Sequence, residues 1–239
     1  MDFAGENRGG IYLDAQLCEF KLRVVKYKFL EEIAQTFACA MGVSFVVHRV
    51  IGQRWMGGSM RKVIVSNLAS LDSYFEGPNN ELDWFVVDEE FFAYARGLLR
   101  TADTLLFGRA TYEHMAGYWP SAPRDEIADK MNHLAKVVFS MRSPTLSWNN
   151  SRFVSGDAVE EVARLKQEPG GNMVVFGSAA LASSLLQAGL IDEYRVILQP
   201  VLLGSGKPLF PNVRERLRLR LLRTQSFGSG VVVLYYQRA

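Results

Sequence analysis

The sequence predicts an α/β fold, in which a mostly parallel central sheet has helices on both faces and an antiparallel hairpin at its C-terminal end. From residue 60 onward, short apolar strands alternate with helical patterns, which is the order that strand–helix–strand units produce. Most of these strands are apolar at successive positions, as expected of strands that are covered on both faces. Near the end, leucine alternates with arginine over residues 216–221, and Gly228-Ser229-Gly230 separates this segment from a second apolar run, which predicts the hairpin.

The predicted elements follow one another without an internal repeat. Parallel strands are predicted at residues 62–68, 103–107, 136–140, 172–176 and 193–199, and the hairpin strands at 217–222 and 231–236. Helical patterns lie between them, at residues 88–100, 111–116, 126–134, 158–167 and 178–188.

The composition is that of a soluble globular protein. Of the 239 residues, 49% are hydrophobic and 22% are charged, which suits one large domain or a medium domain with an appendage. A net charge of +2 gives no reason to expect a nucleic acid or membrane partner. Cys18 and Cys39 are the only cysteines, and no Cys/His spacing indicates a disulfide framework or a metal site. The longest apolar run, residues 37–47, is too short for a membrane span and too far from the start for a signal peptide, so we expect a cytoplasmic protein.

Residues 1–59 differ from the rest of the chain. A polar, glycine-rich stretch, one weak helical stripe and the linker-like segment 55–59 come before Met60, where the first regular strand pattern begins. We interpret residues 1–59 as an N-terminal extension, either poorly ordered or added by the choice of start site, and a partner-binding arm is the alternative. Under the first interpretation, residues 60–239 should fold and bind their cofactor without the extension.

Three predicted strands end in residues that suit a phosphorylated cofactor. These ends are Gly108-Arg109, Ser140-Met141-Arg142 and Gly177-Ser178-Ala179. Small residues let the backbone approach a phosphate, a helix start favours negative charge, and arginine supplies charged donors. Taken singly, a tight turn or a solvated strand end also explains the first two. Because ligands gather at the carboxyl edge of open α/β sheets, the three together predict a cofactor site there, without the GxGxxG fingerprint of a Rossmann domain.

Residues 60–239 resemble the family that comprises dihydrofolate reductase and the C-terminal reductase domain of the bacterial bifunctional riboflavin-synthesis deaminase–reductase. The resemblance rests on motifs in the family's order: Ser70-Leu71-Asp72 with Gly77-Pro78, then residues 106–112 (LFGRATY) and 176–178 (FGS). Residues 189–194 (GLIDEY) and 199–210 (QPVLLGSGKPLF) are the strongest match, and they are characteristic of the riboflavin-type branch. The resemblance therefore implies a dihydrofolate reductase-like fold.

The resemblance also implies NADPH as the cofactor and assigns residues to it. The cofactor-binding residues would be Leu68, Ala69, Gly108, Arg109, Thr111, Ser140, Met141, Arg142, Gly177, Ser178 and Ala179. Residues 108–111 would hold phosphates, residues 140–142 would lie near the adenosine 2′-phosphate, and residues 177–178 would lie at the pyrophosphate. The backbone at residues 68–69 would meet the nicotinamide. Hydride chemistry belongs to the cofactor, and the protein supplies position and electrostatics.

The resemblance implies an NADPH-dependent reductase of a small heterocyclic substrate, like the 5-amino-6-(5-phosphoribosylamino)uracil reductase domain of riboflavin biosynthesis. Dihydrofolate is an alternative substrate, but the carboxylate that folate reductases carry before Gly108 falls near Phe92 here. The candidate catalytic residues are Asp72 and Glu90, and the candidate substrate-binding residues are Asp72 and Trp84. No zinc signature of a deaminase is present in the sequence, so the chain would be a reductase only.

Other classes of function stay open, namely a dinucleotide-binding module without catalysis and a scaffold that has lost the cofactor. Turnover of NADPH with a pyrimidine, pterin or quinone acceptor would exclude both. We expect a homodimer, because the hairpin strands offer more apolar surface than one sheet edge readily leaves in water. Riboflavin-type reductases are also commonly dimeric. Val233→Glu would weaken such a dimer if Val233 faces the contact, and would unfold the domain if it faces the core.

Overall fold

The computed structural model describes residues 61–211, 213 and 215–239, so the predicted extension 1–59 lies outside the described residues. The strands are β1 (Val63–Ser70), β2 (Tyr74–Glu76), β3 (Ala102–Gly108), β4 (Ala135–Phe139), β5 (Ser151–Val154), β6 (Asn172–Phe176), β7 (Glu193–Gln199), β8 (Lys207–Pro208), β9 (Leu219–Ser226) and β10 (Val232–Arg238). The α-helices are α1 (Glu89–Thr101), α2 (Arg109–Tyr118), α3 (Glu126–His133), α4 (Ala158–Leu165) and α5 (Ala179–Gln187), with a short 3₁₀ helix at Trp119–Ser121.

Eight strands form one twisted sheet in the order β5-β4-β3-β6-β1-β7-β10-β9. The six strands from β5 to β7 pair in parallel. β10 runs antiparallel to β7, and β9 runs antiparallel to β10. The mostly parallel sheet with a C-terminal antiparallel hairpin is therefore confirmed.

The helices cover both faces of this sheet. Side chains of β1 alternate between the faces, as the two-residue period of a strand requires. Ile64 packs in a cluster with residues of α1, α2 and α3, whereas Val63 and Val65 pack in a cluster with residues of α4 and α5. In the described part of the chain, none of the helices is both long and apolar enough to cross a membrane.

Three strands were not predicted, and each has a physical reason. β5 is a four-residue strand at one edge of the sheet, and its sequence is half polar (SRFV). β2 and β8 form a separate two-stranded sheet. They are three and two residues long, and they pair across more than a hundred residues of chain, so local sequence carries no signal for them.

The hairpin differs from its prediction in the surface that it exposes. The leucine–arginine alternation predicts one wet face and one buried face, but Leu219 and Leu221 are 37% and 47% exposed. Among the described residues, β9 is the outermost strand and has a neighbour on one side only, which leaves its apolar side chains partly uncovered. Val233 is fully buried in the cluster beneath α1, so a charge there would disrupt the core and would not test a contact between subunits.

Candidate active site

The strand ends that the sequence singles out lie side by side at the carboxyl edge of the sheet. β3 lies between β4 and β6, and β6 is the neighbour of β1. The register pairs Gly108 with Phe139, the residue before Ser140, and pairs Ser66 with Phe176, the residue before Gly177. The edge therefore brings the predicted cofactor residues of four strands together.

The five α-helices in the described part of the chain differ in how their first turns are occupied. α1, α3 and α4 start with Asp88, Asp125 and Asp157, whose carboxylates accept hydrogen bonds from the first turn, and each first turn contains acidic residues. α2 and α5 start with Gly108 and Ser178, have no side-chain cap, and have no acidic residue in the first turn. Free backbone N–H groups and the positive end of the helix dipole favour an anion at such starts. These two helices are therefore the ones whose starts suit a phosphate.

Ser178 joins the two uncapped helix starts. Its Oγ accepts a hydrogen bond from the Gly108 N–H at 2.6 Å and donates one to Thr111 Oγ1 at 3.0 Å. The Ser178 N–H donates to the same threonine oxygen at 3.1 Å. Gly177 and Ser178 have φ angles of 62° and 53°, in the left-handed region that favours glycine. A Cβ added at Gly177 would lie only 3.0 Å from Thr111 Cγ2, so a larger residue would crowd this surface.

The predicted nicotinamide contacts lie at the end of β1, beside this surface. Leu68 and Ala69 face opposite sides of the sheet, Leu68 toward the cluster beneath α1 and Ala69 toward α5. Ala69 is fully buried against Phe75 and Ala179, the first residue of α5. Small side chains at residues 69 and 179 thus leave the end of β1 close to the start of α5.

The residues predicted to lie near a 2′-phosphate are at the end of β4 and are open to solvent. The Arg142 N–H donates to Ser140 Oγ at 3.1 Å, which forms a small turn. Met141 is 90% exposed, and the side chain of Arg142 is also exposed. Arg109 forms a long ion pair with Glu113 at 3.6 Å, with both side chains about half exposed. Such an exposed pair is weak, so Arg109 and Arg142 can both approach an anionic ligand.

Asp72 joins two loops at the same edge. Its Oδ1 accepts hydrogen bonds from Ser70 Oγ at 2.6 Å and from the Leu203 N–H at 3.1 Å, and its Oδ2 accepts one from the Gly204 N–H at 2.7 Å. These hydrogen bonds, the one from Ser70 above all, lower the pKa of the Asp72 carboxyl. A carboxyl group held in its ionised form is a poor proton donor at neutral pH. The observed geometry gives Asp72 a role in holding the loops, and its catalytic and substrate-binding roles stay predictions.

Glu90 and Trp84 lie on the half of the edge beyond β1, toward β7 and β10. Glu90 Oε2 accepts a hydrogen bond from the Gly228 N–H at 2.6 Å and so attaches the start of α1 to the hairpin turn. Trp84 Nε1 donates to the Glu81 carbonyl at 2.9 Å, and its ring meets Phe85 edge to face at 6.0 Å between centroids. No structural contact assigns either residue to a ligand, so both assignments stay predictions.

Two buried amides at this edge were missed by sequence reasoning. Gln199, at the end of β7, is 1% exposed; its Oε1 accepts a hydrogen bond from the Val86 N–H at 2.8 Å, but its Nε2 has no partner in the described part of the chain. Asn67 of β1 is 2% exposed, and neither of its amide atoms has a partner among the described residues. Buried polar atoms in native proteins are usually paired with protein, water or ligand. A polar residue inside an apolar strand was the only available signal, and it is a weak one.

A separate cavity of about 310 Å³ lies beside α3, away from these strand ends. Its walls include Arg124, Asn132, His133 and Trp148, and none of its lining residues belongs to the predicted site. We place the candidate active site at the carboxyl edge, where free helix starts, charged side chains and unpaired amides occur together.

Comparison with known proteins identifies related sequences. The profile of the RibD C-terminal domain matches residues 61–233. The uncharacterized protein YyaP of Bacillus subtilis (strain 168) is 34% identical over 182 residues, which cover 74% of this chain and 94% of YyaP. The uncharacterized protein YwjB of the same organism is 33% identical over 183 residues, covering 75% of this chain and 99% of YwjB.

Solved structures share the fold at lower identity. A protein assigned to riboflavin biosynthesis from Shewanella sp. PV-4 has a TM-score of 0.60 and 24% identity, covering 74% of this chain and 99% of that chain. RibD of Acinetobacter baumannii has a TM-score of 0.56 and 16% identity, covering 75% of this chain and 58% of that chain. Dihydrofolate reductase of Enterococcus faecalis, solved with NADP(H), has a TM-score of 0.54 and 16% identity, covering 76% of this chain and 98% of that chain. The predicted dihydrofolate reductase-like fold is therefore confirmed.

Proposed function

Because the chain belongs to the RibD C-terminal domain family, we propose that it is an NADPH-dependent reductase of a small heterocyclic substrate. Membership of this family and the RibD and dihydrofolate reductase neighbours support a reductase-like role. The identity of the cofactor and of the substrate is our inference from the family resemblance together with the site.

The observation that carries the proposal is the pair of uncapped helix starts joined by Ser178. Two adjacent starts without acidic residues match the diphosphate of a dinucleotide, which places two negative groups a few ångströms apart. The residues present fit the group, because Gly108 and Gly177 keep side chains away from this surface and Arg109 and Arg142 remain exposed beside it. NADPH, when bound, supplies the hydride.

The chain's own residues would bind and orient the cofactor. The first-turn N–H groups of α2 and α5 would hold the diphosphate, and Arg109 with Arg142 would favour a 2′-phosphate through charge-assisted hydrogen bonds. The backbone of Leu68 and Ala69 would fix the nicotinamide end at β1. Asp72 would hold the loops beside it in place through its three hydrogen bonds.

We also propose that the protein is a homodimer that uses the outer edge of the sheet. β9 has eight residues and, within the part of the chain that the structure describes, pairs on one side only; Leu219, Leu221 and Leu222 are between 37% and 47% exposed. An unpaired edge with partly exposed leucines is a surface that a two-fold contact would cover.

Titration with NADPH and NADH, followed by tryptophan fluorescence, tests the cofactor proposal. We expect saturable binding of both and tighter binding of NADPH. Steady oxidation of NADPH with a pyrimidine, pterin or quinone acceptor would then separate an enzyme from a binding module. Failure of NADPH to bind at millimolar concentration would refute the proposal.

A further inference from the structure

The carboxyl edge has a second half, around the ends of β1, β7 and β10, which the predicted cofactor residues of β3, β4 and β6 leave free. Three segments surround it: residues 70–92, residues 199–210 and the hairpin turn 227–230. Hydrogen bonds join these segments to one another, from Gly204 to Asp72, from Val86 to Gln199 and from Gly228 to Glu90. We call this region the substrate half, because a ring reduced at the end of β1 would have to approach from it.

Negative charge dominates the substrate half. Segment 70–92 contains seven carboxylate side chains and no lysine or arginine. Lys207 is the single basic residue in segment 199–210, and it pairs with Glu76 at 3.1 Å. Hydrogen bonds lower the pKa values of Asp72 and Glu81, so these carboxyl groups are ionised at neutral pH. The described residues of these segments thus offer no free cation to an anionic substrate.

Apolar groups are also exposed around the substrate half. Leu71 and Leu202 are 60% and 68% exposed, and Val86 and Val87 are 38% and 41% exposed. Leu71 and Leu202 lie close together, because the Leu71 N–H donates to the Val201 carbonyl at 2.8 Å. Exposed apolar side chains that lie together indicate a binding surface, whereas a single exposed apolar side chain is common on any protein.

One unpaired polar group on this half, the side-chain amide of Gln199, is an uncharged donor. Gln199 Oε1 must face the Val86 N–H, because an amide turned the other way would place two donors against each other. Its orientation is therefore fixed, and Nε2 is left buried without an acceptor among the described residues. A carbonyl oxygen or ring nitrogen of a neutral ligand, or a water that the ligand orients, would pair with it.

We propose, on the premise of the reductase function above, that the substrate is a flat, uncharged ring with carbonyl or ring-nitrogen acceptors and without a phosphate group. The two halves of the edge differ in charge. The cofactor half has two exposed arginines and two uncapped helix starts, whereas the substrate half has carboxylates and apolar side chains. A phosphorylated sugar on the substrate would meet like charges on the substrate half, and this repulsion is strongest where water is excluded. The chain would thus differ in substrate from a reductase that acts on a phosphoribosylamino-pyrimidine.

A matched pair of probes tests the inference, namely a naphthoquinone and its sulfonated derivative, which differ by one negative charge. Binding to the NADP⁺-loaded full chain is followed by quenching of tryptophan fluorescence, so that no turnover is needed. We expect the neutral quinone to bind at least about tenfold more tightly than the sulfonate. The difference should shrink at high salt, because exposed charges are screened over about 3 Å at 1 M and about 10 Å at 0.1 M ionic strength.

A charge-reversal variant sharpens the test. Asp83 is exposed in segment 70–92, and Asp83→Lys should reduce the preference for the neutral probe severalfold. Glu215→Lys makes the same change of charge in the loop before β9, outside the substrate half, and should leave the preference unchanged. Equal or tighter binding of the sulfonate, or failure of both probes to bind, would overturn the inference. NADPH binding, measured alone on the same samples, reports separately on the proposed function, which fails only if the nucleotide does not bind.

Discussion

Replacing Gly108 by alanine tests the hydrogen-bonded surface that joins α2 and α5. Gly108 has φ −79° and ψ 159°, which alanine adopts freely, so the substitution introduces no backbone strain. An added Cβ would lie 2.7 Å from Ser178 Oγ, and the hydroxyl would have to rotate away from the Gly108 N–H and from Thr111. A lost hydrogen bond costs about 1 kcal/mol, and an unpaired buried donor costs about 1–3 kcal/mol. We therefore expect Gly108→Ala to lower the free energy of unfolding by about 1–3 kcal/mol.

Ser178→Ala removes the same hydrogen bonds by a different route, and it should cost about 1–2 kcal/mol. In the double variant, the alanine at 178 presents only its Cβ, which lies 3.5 Å from the added Cβ, an ordinary contact. The second substitution therefore adds little to the first. We expect the double variant to be more stable than the sum of the single effects predicts, by about 1–2 kcal/mol. Urea unfolding measures the three variants, with the m value as a check that the transition itself is unchanged.

Gly97→Ala is the matched control. Gly97 lies inside α1, and a Cβ added there would meet none of the described residues within 4 Å. Alanine at this helical position should stabilise the protein by about 0.5–1 kcal/mol and leave NADPH binding unchanged. Additive effects of Gly108→Ala and Ser178→Ala, within about 0.5 kcal/mol, would refute the explanation through a shared hydroxyl.

Three other outcomes can be measured directly. Arg142→Ala should lower the preference for NADPH over NADH by about tenfold or more, since a charge-assisted hydrogen bond contributes about 1.5–3 kcal/mol. Arg218 is also exposed but lies outside the site, so Arg218→Ala should leave this preference unchanged. Hydrogen bonds from Arg164, and after it Arg152, lower the pKa of Glu161 from 4.5 to about 2. The ionised carboxylate therefore contributes its full stabilisation at pH values above 4.5, and this contribution is lost as the pH falls from 4.5 toward 2. Glu161→Gln should therefore cost about 1–2 kcal/mol at neutral pH and almost nothing near pH 2, and an equal cost at both would contradict the assignment. The mass from light scattering should be twice 26.9 kDa for the unmodified protein and 26.9 kDa for Leu221→Lys, with an unchanged circular dichroism spectrum. A mass of 26.9 kDa for the unmodified protein would rule out the dimer.

The sheet could be predicted because its strands are long apolar runs and because strand–helix alternation leaves few topologies. β6 and β7 have the predicted bounds, and β1, β3 and β4 differ from theirs by one or two residues. β5 could not be predicted, because its four residues are half polar and depend on β4 for their pairing. The buried position of Val233 was also undetermined, since an apolar run at a hairpin does not indicate which face meets the core.

The grouping of the candidate site followed from topology, but its chemistry did not. Gly108, Thr111, Gly177 and Ser178 lie together because parallel strand ends share one edge of the sheet. That Ser178 bonds both to Gly108 and to Thr111 depends on its left-handed backbone, which the residue type disfavours. The roles of Asp72 and Gln199 depend on loops that are far apart in sequence, so only the three-dimensional contacts reveal them.

The absence of acidic residues is the most informative sequence feature of the candidate site. An aspartate at a helix start stabilises the helix by about 1 kcal/mol, and Asp88, Asp125 and Asp157 do so for α1, α3 and α4. α2 and α5 lack this stabilisation, because neither start has a side-chain cap. A bound anion can replace the missing cap, because a ligand present at about 100 times its Kd stabilises the folded state by about 2.7 kcal/mol, more than two caps contribute. NADPH should therefore raise the melting temperature of the protein, and the same stabilisation should be weaker in the Gly108→Ala, Ser178→Ala double variant than in Gly97→Ala.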